Sequence, residues 1–536
     1  MASKHAAVLI SSITLVIISA AVFSQVLPEL FVTSDRCMAC HNGLFTSRGE
    51  DISIGSNWRS SLMAHSSRDP YWQASVRRET LVHPSASAAI QHECAGCHMP
   101  MSRFTAKATG GQGQVFAHLP VGMTQSPNSG LAGEGVSCSM CHQIEKDGLG
   151  TKESFTAGFV VDTKTLLGQR RVYGPYEIDA GRKSLMRSAG LFEPNRGEHI
   201  QTSELCATCH TLYTHALDDQ GNVVGELPEQ VPYLEWKHSA YYEALNCQTC
   251  HMPVVAGQAA ISNVVGIQRE QVSRHVFRGG NFFMPRILNL HRGDLGVTAL
   301  AQELETTGRE TREHLETSAA KVNIEDLEVE AGTLTAKISI SNRAGHKLPS
   351  AYPSRRAWVH LTVRDRRGAV VFESGKLNTD GSIAGNDNDT APNRYEPHYE
   401  RITRPDEVQI YEGILAAPGD EVTTVLLSAV RYIKDNRILP RGFDKASADE
   451  DIAVQGQAFT DETFVGGSDT IVYEIDLQGA AGPFEIEAEL WYQPIAYRWA
   501  QNLKEQDAAE IDRFVSYYDQ LSDLSGIVLG ADKVIR

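Results

Sequence analysis

Apolar and polar residues change rhythm three times along the chain. The first stretch, MASKHAAVLISSITLVIISAAVFSQ, has a basic start at Lys4 and then a nearly uncharged apolar run of eighteen residues from Ala6 to Phe23. That pattern is an export signal. Val22 and Ser24 are small enough for cleavage before Gln25, yet the run approaches the length of a bilayer span. Residues 1–24 therefore read either as a cleaved signal peptide or as a retained N-terminal anchor.

From 25 to about 318 no regular period holds. Loops such as ATGGQGQVFAHLPVGMTQSPNSGLAGEGVS are rich in Gly and Ser, which suits chain draped around something other than its own side chains. Short helices are expected here, and the polar segment 302–318 reads as a largely exposed connecting helix. Beyond it the period becomes two. TLTAKISISN, AWVHLTVRD, VVFESG, EVQIYEGIL, EVTTVLLSAV, TIVYEIDL and FEIEAELWYQ are separated by Gly, Asp, Asn and Pro turns, the pattern of an antiparallel β-sandwich over 319–493. From Pro494 to 536 the helical period returns, with Ile511, Phe514, Val515 and Tyr518 on one face. The expected fold class is α+β: a mostly helical or irregular domain (25–318), a β-sandwich (319–493) and a C-terminal helical segment (494–536).

Composition narrows the function. The 536 residues are 42% hydrophobic and 21% charged, as in ordinary globular chains. A formal charge of −17 without clustered Lys or Arg argues against nucleic acid and favours basic protein partners.

The ten cysteines change the picture most. All of them lie in five CxxCH frames: Cys37, Cys40 and His41; Cys94, Cys97 and His98; Cys138, Cys141 and His142; Cys206, Cys209 and His210; Cys247, Cys250 and His251. Two thiols at this spacing reach neighbouring vinyl groups of one porphyrin, and the next imidazole binds the iron from one face. Disulfides or zinc sites would not place a histidine after every second cysteine. Five covalent haem c groups are expected, forming much of the first domain's core. A second axial ligand comes from the remaining histidines. Local context favours His83, His118, His199, His238, His275 and His346, with His65, His92, His215 and His398 behind them; Met63, Met99, Met140 and Met252 are further candidates. Asn386, Asp387, Asn388 and Asp389 bring oxygens together in a possible calcium cluster, although the spacing is not that of an EF-hand.

The stretches GVSCSMCHQI, SELCATCHTL, CQTCHMP and HVFRGGN, followed by NRAGHKLPSAYPSRRAWVHLTV, resemble multihaem c-type cytochromes related to the nitrification tetrahaem cytochrome and hydroxylamine oxidoreductase, with an immunoglobulin-like domain appended. The resemblance implies closely stacked haems, distal histidines drawn from distant segments, and electron transfer in the periplasm. His83, His118, His199, His275 and His346 lie in the matching segments. Two features depart from it. No CxxCK frame occurs, and no tyrosine cross-link site is identifiable.

The expected function is a pentahaem relay in the periplasm or on the outer face of the cytoplasmic membrane. It exchanges electrons with a membrane or periplasmic donor and with a reductase or extracellular acceptor, the β-sandwich serving as a docking module. The alternative is an oxidoreductase acting on a small nitrogen or sulfur compound at one open haem, with Arg274, Arg355 or Arg356 assisting. A third reading is a module of an outer-surface conduit.

Overall fold

The computed structural model describes residues 29–536, so the apolar run expected to direct export lies outside the described residues. Among these residues no helix is long and apolar enough to cross a membrane.

The first half is built of short helices joined by irregular chain. Each CxxCH frame lies at a helix end: α1 (Asp35–His41), α3 (Ser87–His98), α4 (Cys138–Cys141, with His142 as its C-cap), α5 (Ser203–His210) and α6 (Cys247–His251). Residues three apart share a helix face, so one turn aims both thiols the same way. The longer α2 (Pro70–Val82) starts on Asp69, whose carboxylate accepts from the amides of Tyr71 and Trp72, an N-cap typically worth about 1 kcal/mol. A hairpin of β1 (Leu212–Leu217) and β2 (Val223–Gln230) follows α5.

The connecting helix, α7 (Ala301–Ser318), exists as expected but is less exposed than its composition suggested. Leu304, Thr311 and Leu315 are buried along one face.

Beside a small sheet in which Gly413–Ala416 pairs with Val422–Thr423 and Arg431–Asp435, two larger sheets build the second half. One runs β3 (Ala320–Glu330), β4 (Thr333–Asn342) and β7 (Ser468–Asp476), with Arg401–Ile402 parallel to the far edge. The other runs β6 (Val370–Ser374), β5 (Arg356–Arg364), β8 (Glu485–Gln493) and β9 (Ile527–Ile535), with Ile410–Tyr411 also pairing with β5. Alternate residues of both sheets enter one core: Ala336, Ile338 and Ile340 from the first sheet, Ile486, Ala488 and Leu490 from the second. Cutting one such isoleucine back to alanine costs about 2–5 kcal/mol.

Three elements depart from the sequence reading. β3 is a strand that the seven runs did not include. It is an edge strand whose second half is charged and exposed, which hides its alternation. EVTTVLLSAV is mostly not strand, because Leu426 and Leu427 turn their amides onto the Glu79 carboxylate at 2.8 and 3.2 Å. The tail holds two helices, α8 (Tyr497–Leu503) and α9 (Ala509–Leu521), but then closes with β9, which pairs with β8 and buries Ile527 and Leu529.

The apolar face of α9 packs on α2 in the first half. The Phe514 and Tyr71 rings are 5.0 Å apart, and Glu510 pairs with Arg77 at 2.9 Å. The two halves thus share a continuous core.

Candidate cofactor cavity

A cavity of about 1690 Å³ lies in the first half and reaches the edge of the sheets. Cysteines and histidine of all five CxxCH frames line it. None of the ten cysteines is in a disulfide. Thiols from different frames stand beside each other: Cys37 with Cys138, Cys97 with Cys209, and Cys206 with Cys247. The first frame therefore neighbours the third, and the fourth neighbours both the second and the fifth.

The imidazoles are held as a metal requires. The Nδ1 atoms of His41, His98 and His142 meet the backbone oxygens of Ile261, Ser66 and Tyr173 at 2.5, 2.9 and 2.6 Å, and Nδ1 of His251 meets that of Arg278. A carbonyl only accepts, so Nδ1 carries the proton and Nε2 keeps its lone pair for a metal. Burial pushes His98 and His251 down to about 4, which keeps them neutral at neutral pH. His210 is the exception, with no hydrogen-bond partner among the described residues.

Two further histidines face these rings. His275 stands opposite His142 with centroids 6.4 Å apart and planes 21° apart, and His346 stands opposite His251 at 6.3 Å and 18°. A metal between two imidazoles needs about 2 Å to each nitrogen and a little over 1 Å more to each ring centre, or about 6 Å in all. His275 and His346 also present Nδ1 to carbonyls, of Ser273 at 3.2 Å and of Lys347 at 2.9 Å. The donor set at both pairs fits an iron porphyrin bound from both faces.

The other histidine candidates lie outside this lining. His83 reaches the Ser428 hydroxyl at 3.1 Å, and His118 lies between the hydroxyls of Ser102 and Ser129, each at 3.1 Å. His199 meets the Ile144 oxygen at 2.9 Å, while His238 is held by the Leu234 oxygen at 2.9 Å and Asp449 at 3.5 Å. His65 is buried with neither nitrogen bonded, and His92 accepts from the Gly113 amide at 2.8 Å. His215 pairs with Glu93 at 3.7 Å. His398 sits in the sheet half against Asp461 at 3.0 Å, its other nitrogen 2.8 Å from the Gln409 amide. Met63, Met140 and Met252 line the cavity, whereas Met99 is a core residue elsewhere.

His314 was missed. It lines the cavity from α7, together with Thr307, Thr311, Leu315 and Ser318. That stripe has helical spacing, but its polar members disguised it. Three buried carboxyls also line or border the same space. Burial pushes Asp69 up to about 6, Glu79 to about 7 and Glu229 to about 8.

The segment 343–355, between β4 and β5, carries His346 into the cavity and is tied down by charge. Lys347 meets Asp435 at 2.6 Å, Arg437 meets Asp435 at 2.7 Å and Glu235 at 3.0 Å, and the Ser350 hydroxyl donates to Glu235 at 2.6 Å. Leu348 and Ile438 exchange backbone hydrogen bonds at 2.9 Å.

In the proposed calcium cluster the carboxylates are already engaged. Asp389 pairs with Arg356 at 2.7 Å and accepts from the Ile383 amide at 2.7 Å, and Asp387 pairs with Arg394 at 2.5 Å. The segment makes a turn and a short helix, and this geometry lends calcium no support.

The fold, with five CxxCH frames around one cavity, is that of a multihaem cytochrome c. No family model matches the sequence and no curated protein matches it. The structure is similar to that of a penta-heme cytochrome c552 from Thermochromatium tepidum, with a TM-score of 0.54 at 15% identity, over 95% of this chain and 100% of that one.

Proposed function

We propose that this chain is a pentahaem c-type cytochrome that relays electrons between redox partners outside the cytoplasm. The observation that carries the reading is the convergence of all five CxxCH frames on one cavity, two of them with a second imidazole at metal-bridging distance. When bound, haem supplies the one-electron chemistry of its iron. The chain's part is to hold it. Paired cysteines anchor each group, carbonyls fix the histidine tautomers, and apolar walls exclude water.

The thiol contacts put the fourth frame at the centre, beside the second and fifth, with Cys141 of the third close enough to raise the Cys206 thiol. An acidic surface suits docking to basic partners, and the N-terminal apolar run supports export to the periplasm or the outer membrane face. The paired sheets, which we read as a β-sandwich, do more than dock. They supply His346, so the haem housing is built from both halves.

A second reading, an oxidoreductase with one open haem acting on a small nitrogen or sulfur compound, is favoured by one observation. Among the described residues no histidine ring stands across from His41, His98 or His210 as His275 and His346 do from their partners.

Purified, exported holoprotein tests both. Five haems per chain by pyridine haemochrome assay supports the cytochrome, and a colourless mature protein overturns it. Uniform low-spin paramagnetic resonance signals with no carbon monoxide binding support the relay; a high-spin signal with carbon monoxide binding supports the oxidoreductase.

A further inference from the structure

The five CxxCH imidazoles differ in what lies on their ring faces. His142 and His251 look across gaps of 6.4 and 6.3 Å at other histidines, and no aromatic ring stacks on His41 or His210 among the described residues. His98, alone of the five, carries an indole. The ring centres of Trp72 and His98 are 4.3 Å apart, with planes 3° from parallel. A metal between two rings needs about 6 Å. Nothing fits between these two, so the indole lies flat on the imidazole itself.

One short segment makes both grips on this ring. The Ser66 carbonyl accepts from His98 Nδ1 at 2.9 Å, and the Ser66 hydroxyl donates to the His98 carbonyl at 2.9 Å. Further along, Trp72 stands in the first turn of α2, its amide tied at 3.2 Å to the capping carboxylate of Asp69. The indole is 9% exposed and packs among Val76, Ile90 and Met99. Trp72 and His98 both line the cavity. The hydrogen bond at Nδ1 fixes the tautomer but leaves the ring able to rock about that bond and its bond to a metal. The parallel indole removes this freedom, as outer partners of metal-bound imidazoles do.

The stack also has an electrical consequence. An imidazole bound to iron shares the metal's positive charge, and shares more of it when the iron is ferric. The face of an indole is negative, and it is the best of the aromatic faces for a cation. Contact with it therefore favours the oxidised state.

We propose that Trp72 is a positioning and tuning residue for the haem of the Cys94–His98 frame: it holds the His98 ring in one plane and lowers the midpoint potential of that haem. The proposal rests on haem attachment at Cys94 and Cys97. A cation held on a tryptophan face gains enough to shift an equilibrium about two- to fivefold. At 59 mV per tenfold, that is roughly 20–40 mV. The thiol contacts join the second frame only to the fourth, so its haem ends the relay. A lower potential at an end biases electrons inward.

The test uses purified holoprotein with five haems confirmed, so a wild type lacking haem indicts the functional reading and not this residue. Midpoint potentials and ferric paramagnetic resonance spectra are recorded for wild type, Trp72→Phe, Trp72→Leu and Trp58→Phe. Trp58 also lines the cavity, but its indole donates to the Val136 oxygen at 2.8 Å and stacks on no histidine. In Trp72→Leu one midpoint of the five should rise by the stated amount, and the g-values of the same haem should shift or broaden as the ring is freed. Trp72→Phe keeps an aromatic face and should return both toward wild type, while Trp58→Phe leaves that midpoint in place. Five unchanged midpoints in haem-replete Trp72→Leu overturn the proposal. A fall of the midpoint, an equal shift of all five, or the same shift in Trp58→Phe also overturns it. Where the leucine variant does not fold, the phenylalanine variant decides: a smaller rise of the one midpoint sustains the proposal, and unchanged midpoints and g-values overturn it.

Discussion

Replacing Asp435 by asparagine should loosen the segment that delivers His346. Asp435 sits between two cations, Lys347 at 2.6 Å and Arg437 at 2.7 Å, with Glu235 as the second anion. All four are buried: side-chain exposure is 0% for Lys347, 4% for Asp435, 8% for Arg437 and 0% for Glu235. The quartet is neutral as built. Asp435→Asn leaves two cations against one carboxylate away from water, and breaking a buried pair in this way costs about 3–5 kcal/mol.

The pH dependence follows from the same geometry. Burial alone would raise the Asp435 carboxyl, but Arg437 and Lys347 overcome it and hold the group well below the usual carboxylate range. A lowered folded-state value means that the stabilisation is complete above the ordinary aspartate range, near pH 4, and is lost as pH falls below it. Urea unfolding of wild type and variant holoprotein should therefore show a constant gap from pH 5 to 8 that narrows below about pH 4. The haem spectrum, followed in the same titration, should show the His251 and His346 site changing spin state before global unfolding. A gap below 1 kcal/mol at pH 7, or one that widens on acidification, would refute the electrostatic account of this loop.

Removing either facing imidazole, by His346→Ala or His275→Ala, should convert one haem of the five from low to high spin and create a carbon monoxide site, while His118→Ala and His238→Ala leave the spin inventory unchanged; paramagnetic resonance integration decides. Glu229→Gln should flatten part of the stability profile. Burial raises Glu229 to about 8, so the folded state holds a proton that the unfolded state releases near its ordinary value of 4.5, and wild-type stability declines between those limits. The decline is about 1.4 kcal/mol per pKa unit at most, and a urea-midpoint profile identical to wild type between pH 5 and 9 would count against it. Arg356→Ala should cost about 3–5 kcal/mol, because it strands Asp389 at 3% side-chain exposure. A thermal midpoint within a degree of wild type would contradict this.

What could be read from the sequence followed from locality. The five frames are short, and one helical turn suffices to arrange them, so Cys37 to His251 were legible one by one. Facing ligands are a tertiary matter. His275 and His346 lie in segments that share the family resemblance, yet so do His83, His118 and His199, which lie outside the cavity lining and bond to hydroxyls and a carbonyl. His314 was concealed by its charged helix. In the second half, the apolar residues of AWVHLTVRD marked β5, which is buried on both faces, and alternation revealed β4, β7 and β8, whose two faces differ most. It failed for β3 and β9 at the sheet margins, and at Leu426 and Leu427, where a distant glutamate captures the backbone amides.

The placement of His346 also sets an order of assembly. Its segment belongs to a part of the chain made long after the last CxxCH frame, and it seals the space those frames surround. Porphyrins must therefore be stitched to their thiols while the vestibule is still unroofed. A chain that closed early would shut its own cargo out.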